Sequence, residues 1–147
     1  MQKLSPIEIN EICEELGETY PKSIEQVHGG DIHSAWQIEF SNKKLFLKKN
    51  IRNKKLLEFE KYCLQNLKSY VNQEYLVIPE VIAYKNIKNT EILLIEWIEM
   101  KNLNQKNLGK GLGELHLKSA ESNPEMFGFP VEGFIGTTDQ KLSLIHI

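Results

Sequence analysis

The run Ile92-Leu93-Leu94-Ile95-Glu96-Trp97-Ile98 is nearly all apolar, so it must be well buried, yet it falls far short of the roughly 20 apolar residues that cross a bilayer. It reads as a strand of a sheet that other elements cover. The segments before it supply that sheet. Ile24 to Val27, then Gly29-Gly30, then Ala35-Trp36-Gln37-Ile38-Glu39-Phe40 give two strands joined by a glycine turn, the second alternating as a half-buried strand should. Ser41 to Lys44 is a polar turn before the short strand Leu45-Phe46-Leu47-Lys48, which makes a three-stranded antiparallel meander.

From Lys54 to about Tyr70, Leu56, Leu57, Glu60, Leu64 and Leu67 recur at helical spacing. Val81 to Tyr84 is a fourth strand, separated from the run at Ile92 by a polar turn over Lys85 to Thr90. The predicted body is an α+β lobe, a five-stranded antiparallel sheet with one helix packed on it. A leading amphipathic helix over residues 5 to 17 opens with Ser5-Pro6 and places Ile7, Ile9, Ile12, Cys13 and Leu16 near helical spacing. Lys101 to Asn107 is a connector, and Leu108, Leu112, Leu115 and His116 mark a further helix that ends near His116. The expected division is a lobe over 1–99, a connector and the start of a second lobe over 100–140, and a tail over 141–147 with no cap, turn or amphipathic logic.

Composition narrows the classes of function. The chain has 147 residues, 41% hydrophobic and 26% charged, enough for one ordinary core. Arg52 is the only arginine and the net charge is −2, so the arginine forks that favour phosphate backbones and guanines are missing and nucleic-acid binding is set aside. Cys13 and Cys63 stand apart with no CxxC pair or histidine cluster, which indicates neither zinc nor a disulfide framework. With no membrane span in the sequence, a cytoplasmic protein is expected; nothing in the sequence speaks to its oligomeric state.

Three features carry chemistry. Gly29-Gly30-Asp31 between two strands reads either as an ordinary hairpin turn or as a loop whose backbone N–H groups approach phosphate oxygens. Lys48 closes an otherwise apolar strand and must point to solvent or find an anion. Glu60 lies on the inward side of the following helix, near Leu57 and Leu64, where an unpaired carboxylate is costly. A Lys48–Glu60 ion pair answers both anomalies, and a strand lysine held by a helix glutamate under a glycine loop is how protein kinases grip the α- and β-phosphates of ATP. Trp97 reads as core or as a stacking partner for a base, His28 and His33 as loop residues beside the glycine turn, and Phe127 to Gly136 as an aromatic, glycine-rich loop left exposed at a lobe interface.

The same residues resemble the fructosamine kinase family. His28-Gly29-Gly30-Asp31-Ile32 with Ala35-Trp36 is similar to its GGDIN-x-A-[YF] loop, Phe46-Leu47-Lys48-Lys49-Asn50 to its F-[VL]-K-x-N strand, and Leu57-Glu58-Phe59-Glu60 to its F-E-x-E helix. Ile78-Pro79-Glu80-Val81, Leu93 to Glu99, Leu108 to His116, and Phe127-Gly128-Phe129-Pro130 with Gly133 to Gln140 extend the likeness across residues 24 to 140. His33 departs from a common asparagine and Asp139 from a common proline.

The resemblance implies an ATP-dependent, Mg²⁺-assisted kinase acting on the sugar hydroxyl of a ketosamine, a small-molecule or glycated-amine substrate. It puts Gly29, Gly30 and Asp31 over the phosphates, Lys48 against them, and Glu60 behind Lys48. It gives adenine the backbone of Glu96 and Ile98, with Trp97 between them. The only aspartates are Asp31 and Asp139, and no H-G-D-x-x-x-x-N loop is present. No residue is therefore expected to be catalytic or to ligate metal, the chain is read as stopping short of its catalytic lobe, and it is expected to be inactive and weakly folded by itself. An aminoglycoside or choline phosphotransferase relative and a non-catalytic nucleotide-binding module are the alternatives.

Overall fold

A computed structural model describes residues 3–28, 33–51, 54–100, 104–122 and 129–141. In chain order the elements are α1 (Pro6–Leu16), β1 (Ser23–Val27), β2 (Ser34–Glu39), β3 (Lys44–Asn50), α2 (Leu56–Lys68), β4 (Val81–Ile87), β5 (Thr90–Glu96), α3 (Gln105–Ser122), β6 (Gly133–Ile135) and β7 (Thr138–Gln140). The first five strands form one antiparallel sheet in the order β1-β2-β3-β5-β4, so the apolar run of β5 lies inside it, between β3 and β4.

Two helices cover the sheet, one on each face, where the sequence had suggested a single helix on the sheet. Ile12 of α1 packs with Trp36, Ile38, Leu45, Leu47, Ile92 and Leu94. On the other face Leu57 and Leu64 of α2 pack with Phe46, Tyr84, Leu93 and Ile95. Alternation along β5 explains the division, because successive side chains point to opposite faces and residues 92 to 95 are all buried.

Local chemistry fixes α1. Ser5 and Glu8 close a capping box, with the Glu8 amide donating to Ser5 Oγ at 3.3 Å and the Ser5 amide to Glu8 Oε2 at 2.7 Å. Pro6 occupies the first turn, and Gly17 ends the helix at φ +62°. Lys85 of β4 reaches Glu11 and Glu15 at 3.2 and 3.1 Å. Such half-exposed pairs are worth about 0–1 kcal/mol, against about 1.5–3 kcal/mol for burying an isoleucine, so the apolar seam at Ile12 sets where α1 lies.

Several boundaries differ from the sequence reading. The polar stretch at 85–90 is mostly strand, and the turn is only Lys88 and Asn89, both at positive φ (49° and 65°), as a two-residue hairpin requires. Glu96 ends β5, leaving Trp97 and Ile98 outside it. The third helix runs on to Ser122, which places His116 in its interior. Between Val81 and Ala83 the register shifts, so that Val81 packs on the α2 face and Ala83 on the α1 face. Both cysteines are free and half-buried, and burial pushes both thiols up from their ordinary value.

Candidate functional site

Alternation along β3 sends Lys48 to the α2 face and its neighbour Lys49 to the α1 face. Lys48 lies opposite Ala35 on β2 and Leu93 on β5, both buried. Its ammonium donates to Glu60 Oε1 at 2.6 Å, and both side chains keep about a quarter of their surface exposed (26% and 27%). The helix residue and the strand residue singled out from sequence are thus brought together. Lys48 is a three-donor cation with one carboxylate partner among the described residues, and it stays partly exposed.

The other expected site residues fall in two places. Gly29, Gly30 and Asp31 lie outside the described residues. Glu96, Trp97 and Ile98 follow one another at the end of β5. The Glu96 amide donates to the Glu80 carbonyl at 2.9 Å, so any contact from Glu96 to a base must come through its own carbonyl. Trp97 tilts against Phe46 with ring centroids 6.0 Å apart, and its indole N–H donates to Glu99 Oε1 at 3.0 Å. That makes Trp97 a half-buried wall on the Lys48 face.

Three features were missed from sequence. Lys49 pairs with Glu8 at 2.7 Å, the two side chains only 9% and 8% exposed, and also donates to the Lys3 carbonyl at 3.1 Å. Glu91, 2% exposed, sits under the first turn of α2. Its signal was a single carboxylate at the head of an apolar strand, together with a helix whose N-cap residue, Lys55, has no capping side chain. The third is the β6–β7 hairpin, expected as an exposed loop. Phe134 and Phe129 meet Phe59 of α2 edge-on at 5.8 and 6.5 Å, and Gly133 lies so close to Phe59 that a Cβ there would clash with the ring. Lys54, still 40% exposed, binds Asp139 Oδ1 at 2.7 Å and the Thr137 carbonyl at 2.9 Å.

Among the described residues, no group of three His, Cys, Asp or Glu side chains could hold a metal ion. No described helix is long and apolar enough to cross a membrane.

Residues 6–144 match the family described as fructosamine kinase. An Enterococcus faecium protein named "probable ketoamine kinase" is 30% identical over 118 residues, covering 80% of this chain and 39% of that protein. The crystal structure of a candidate fructosamine-3-kinase of Haemophilus somnus aligns with TM-score 0.67 at 19% identity, over 90% of this chain and 45% of that one. Spectinomycin phosphotransferase, solved with ADP and spectinomycin, aligns with TM-score 0.53 at 19% identity, over 78% of this chain and 39% of that one. The chain spans less than half the length of these relatives, and the part it spans has the arrangement of a kinase-like N-lobe, a five-stranded antiparallel sheet with its helices.

Proposed function

The chain belongs to the fructosamine kinase family, and on that premise we propose that it is the nucleotide-holding part of an ATP-dependent kinase that phosphorylates a sugar hydroxyl of a ketosamine. The observation that carries the reading is the Lys48–Glu60 pair, 2.6 Å long and partly open to solvent, on the sheet face that α2 covers. A cation held by one carboxylate retains N–H donors for phosphate oxygens, and the carboxylate keeps its stem from folding away. Spectinomycin phosphotransferase, which shares the fold, was solved with ADP, and this supports a nucleotide as the ligand.

In this reading the Lys48 ammonium binds and orients the α- and β-phosphates, and Glu60 positions Lys48. Gly29, Gly30 and Asp31 cover the phosphates. The Glu96 carbonyl and the Ile98 backbone take the adenine edge, with Trp97 and Phe46 closing that end. ATP supplies the transferable phosphoryl group. Mg²⁺ belongs to the chemistry of such kinases, and among the described residues no group of three His, Cys, Asp or Glu side chains could hold it. The carboxylate that takes the substrate hydroxyl's proton is absent from the motifs of this span, so the 147-residue chain binds nucleotide without transferring phosphate.

Titration calorimetry of the chain with ATP, with and without Mg²⁺, tests the reading, alongside a phosphorylation assay on fructosyl-lysine. Saturable ATP binding with no product is expected. No binding at millimolar ATP would refute the nucleotide role, and phosphate transfer by this chain would refute its inactivity. For the whole enzyme, turnover of an aminoglycoside in preference to fructosyl-lysine would move the substrate class to the phosphotransferases that share the fold.

A further inference from the structure

Glu91 lies on β5 directly opposite Asn50 of β3, on the same sheet face as Lys48. Four donors converge on its carboxylate. Asn50 Nδ2 donates to Oε2 at 2.6 Å, the Tyr84 hydroxyl to Oε1 at 2.9 Å, and the amides of Leu57 and Glu58 to Oε2 and Oε1 at 3.4 and 2.9 Å. The two amides are orphan donors of the first turn of α2, whose own N-cap residue, Lys55, makes no side-chain cap. Asn50 Nδ2 also reaches the Lys54 carbonyl at 2.9 Å, just before the helix.

We propose that Glu91 is the positioning residue of the nucleotide grip, a carboxylate borrowed from the sheet that caps α2 and so fixes where Glu60 meets Lys48. The inference rests on the nucleotide reading above for its functional meaning, and on geometry alone for its structural part. Glu60 follows Glu58 by two residues, about 3 Å along the axis at about 1.5 Å per residue, so any slip or fraying of the first turn moves it directly. Lys48 and Asn50 are also two residues apart, about 7 Å along the strand. β3 therefore grips α2 at two points, through Lys48 to Glu60 and through Asn50 and Glu91 to the first turn. Because all four neighbours of the carboxylate are donors, it must act as a pure acceptor. A glutamine would turn an N–H₂ toward at least one of them.

The test compares wild type with E91Q in the full 147-residue chain. In E91Q the amides of Leu57 and Glu58 should exchange about tenfold faster, as loss of a helix cap predicts. The side-chain ammonium NMR signal of Lys48 should move toward its position in E60Q. Affinity for ATP should fall by about tenfold, and E91Q should cost less than about twofold once E60Q is present, because coupled residues are not additive. The E91D variant, which keeps the charge, should restore part of the Lys48 signal. If α2 opens in E91Q while the Lys48 signal stays at its wild-type position, Glu91 is an ordinary cap and the proposal is overturned. Full additivity with E60Q overturns it equally. Should wild type bind no ATP, the nucleotide reading is what fails, and the Lys48 signal by itself decides the positioning claim. Should E91Q fold too poorly to measure, Y84F removes one donor of the four and must show the same ordering at smaller size, or the proposal falls.

Discussion

Two neighbouring lysines of β3 reach two glutamates on opposite faces of one sheet, and the two pairs differ in how far each is closed off from water. Lys49 and Glu8 are under a tenth exposed, and their bonds close on one another, with Ser5 on the carboxylate and the Lys3 carbonyl on the ammonium. Lys48 and Glu60 are equally close but about a quarter exposed. The first pair is saturated and fastens α1 to the sheet. The second stays partly open to solvent.

The largest expected effect comes from breaking the closed pair. E8Q leaves the Lys49 charge buried and uncompensated, a lesion that costs about 3–5 kcal/mol, while replacing both partners together (E8L with K49M) should recover most of it. Urea denaturation reads both, and ATP affinity per folded molecule should not change. An equal loss of ATP affinity in E8Q would break the division between the faces.

K48M should do the reverse. Removing a hydrogen bond to a charged phosphate costs about 1.5–3 kcal/mol, so calorimetric ATP affinity should fall by about ten- to a hundredfold with little change in the urea midpoint. Next, G133A forces a Cβ against the Phe59 ring. Overpacking of this kind costs about 1–3 kcal/mol, and amide exchange should show it loosening β6 and α2 while α1 keeps its protection.

The smallest effect is a pH dependence confined to the closed pair. Burial pushes the Glu8 carboxyl up, but the hydrogen bonds from Lys49 and Ser5 outweigh it and hold it below the ordinary 4.5. A carboxyl depressed in the folded state stabilises that state above the unfolded value, and the contribution fades as pH falls through the folded one. Urea midpoints from about pH 6 to about pH 3 should therefore fall in wild type and fall less in E8Q.

What the sequence made legible followed from periodicity and from polar residues out of place. β2 alternates cleanly, α1 announces itself with Ser5-Pro6 and its apolar spacing, and Lys48 and Glu60 each interrupt an apolar pattern in the order a kinase lobe requires. The Glu8–Lys49 pair was hidden because its partners lie 41 residues apart on two elements, and nothing local in the sequence marks either as buried. Glu91 was hidden because a residue beside a turn is expected to be polar. Three-residue strands such as β6 and β7 are too short for alternation to show, and their aromatic contacts lie on a helix far back in the chain. The glycine loop, Gly29 to Asp31, lies outside the described residues, so its place over the phosphates stays a proposal.

The seat of Gly133 beneath Phe59 sets a clock on synthesis. About seventy residues separate the two, and at about 5–20 residues per second the aromatic flank of α2 is made roughly 4–15 s before the hairpin that covers it. During that interval the Phe59 ring has neither Phe129 nor Phe134 to pack against. The helix that bears Glu60 is thus complete well before the hairpin that packs on its aromatic flank.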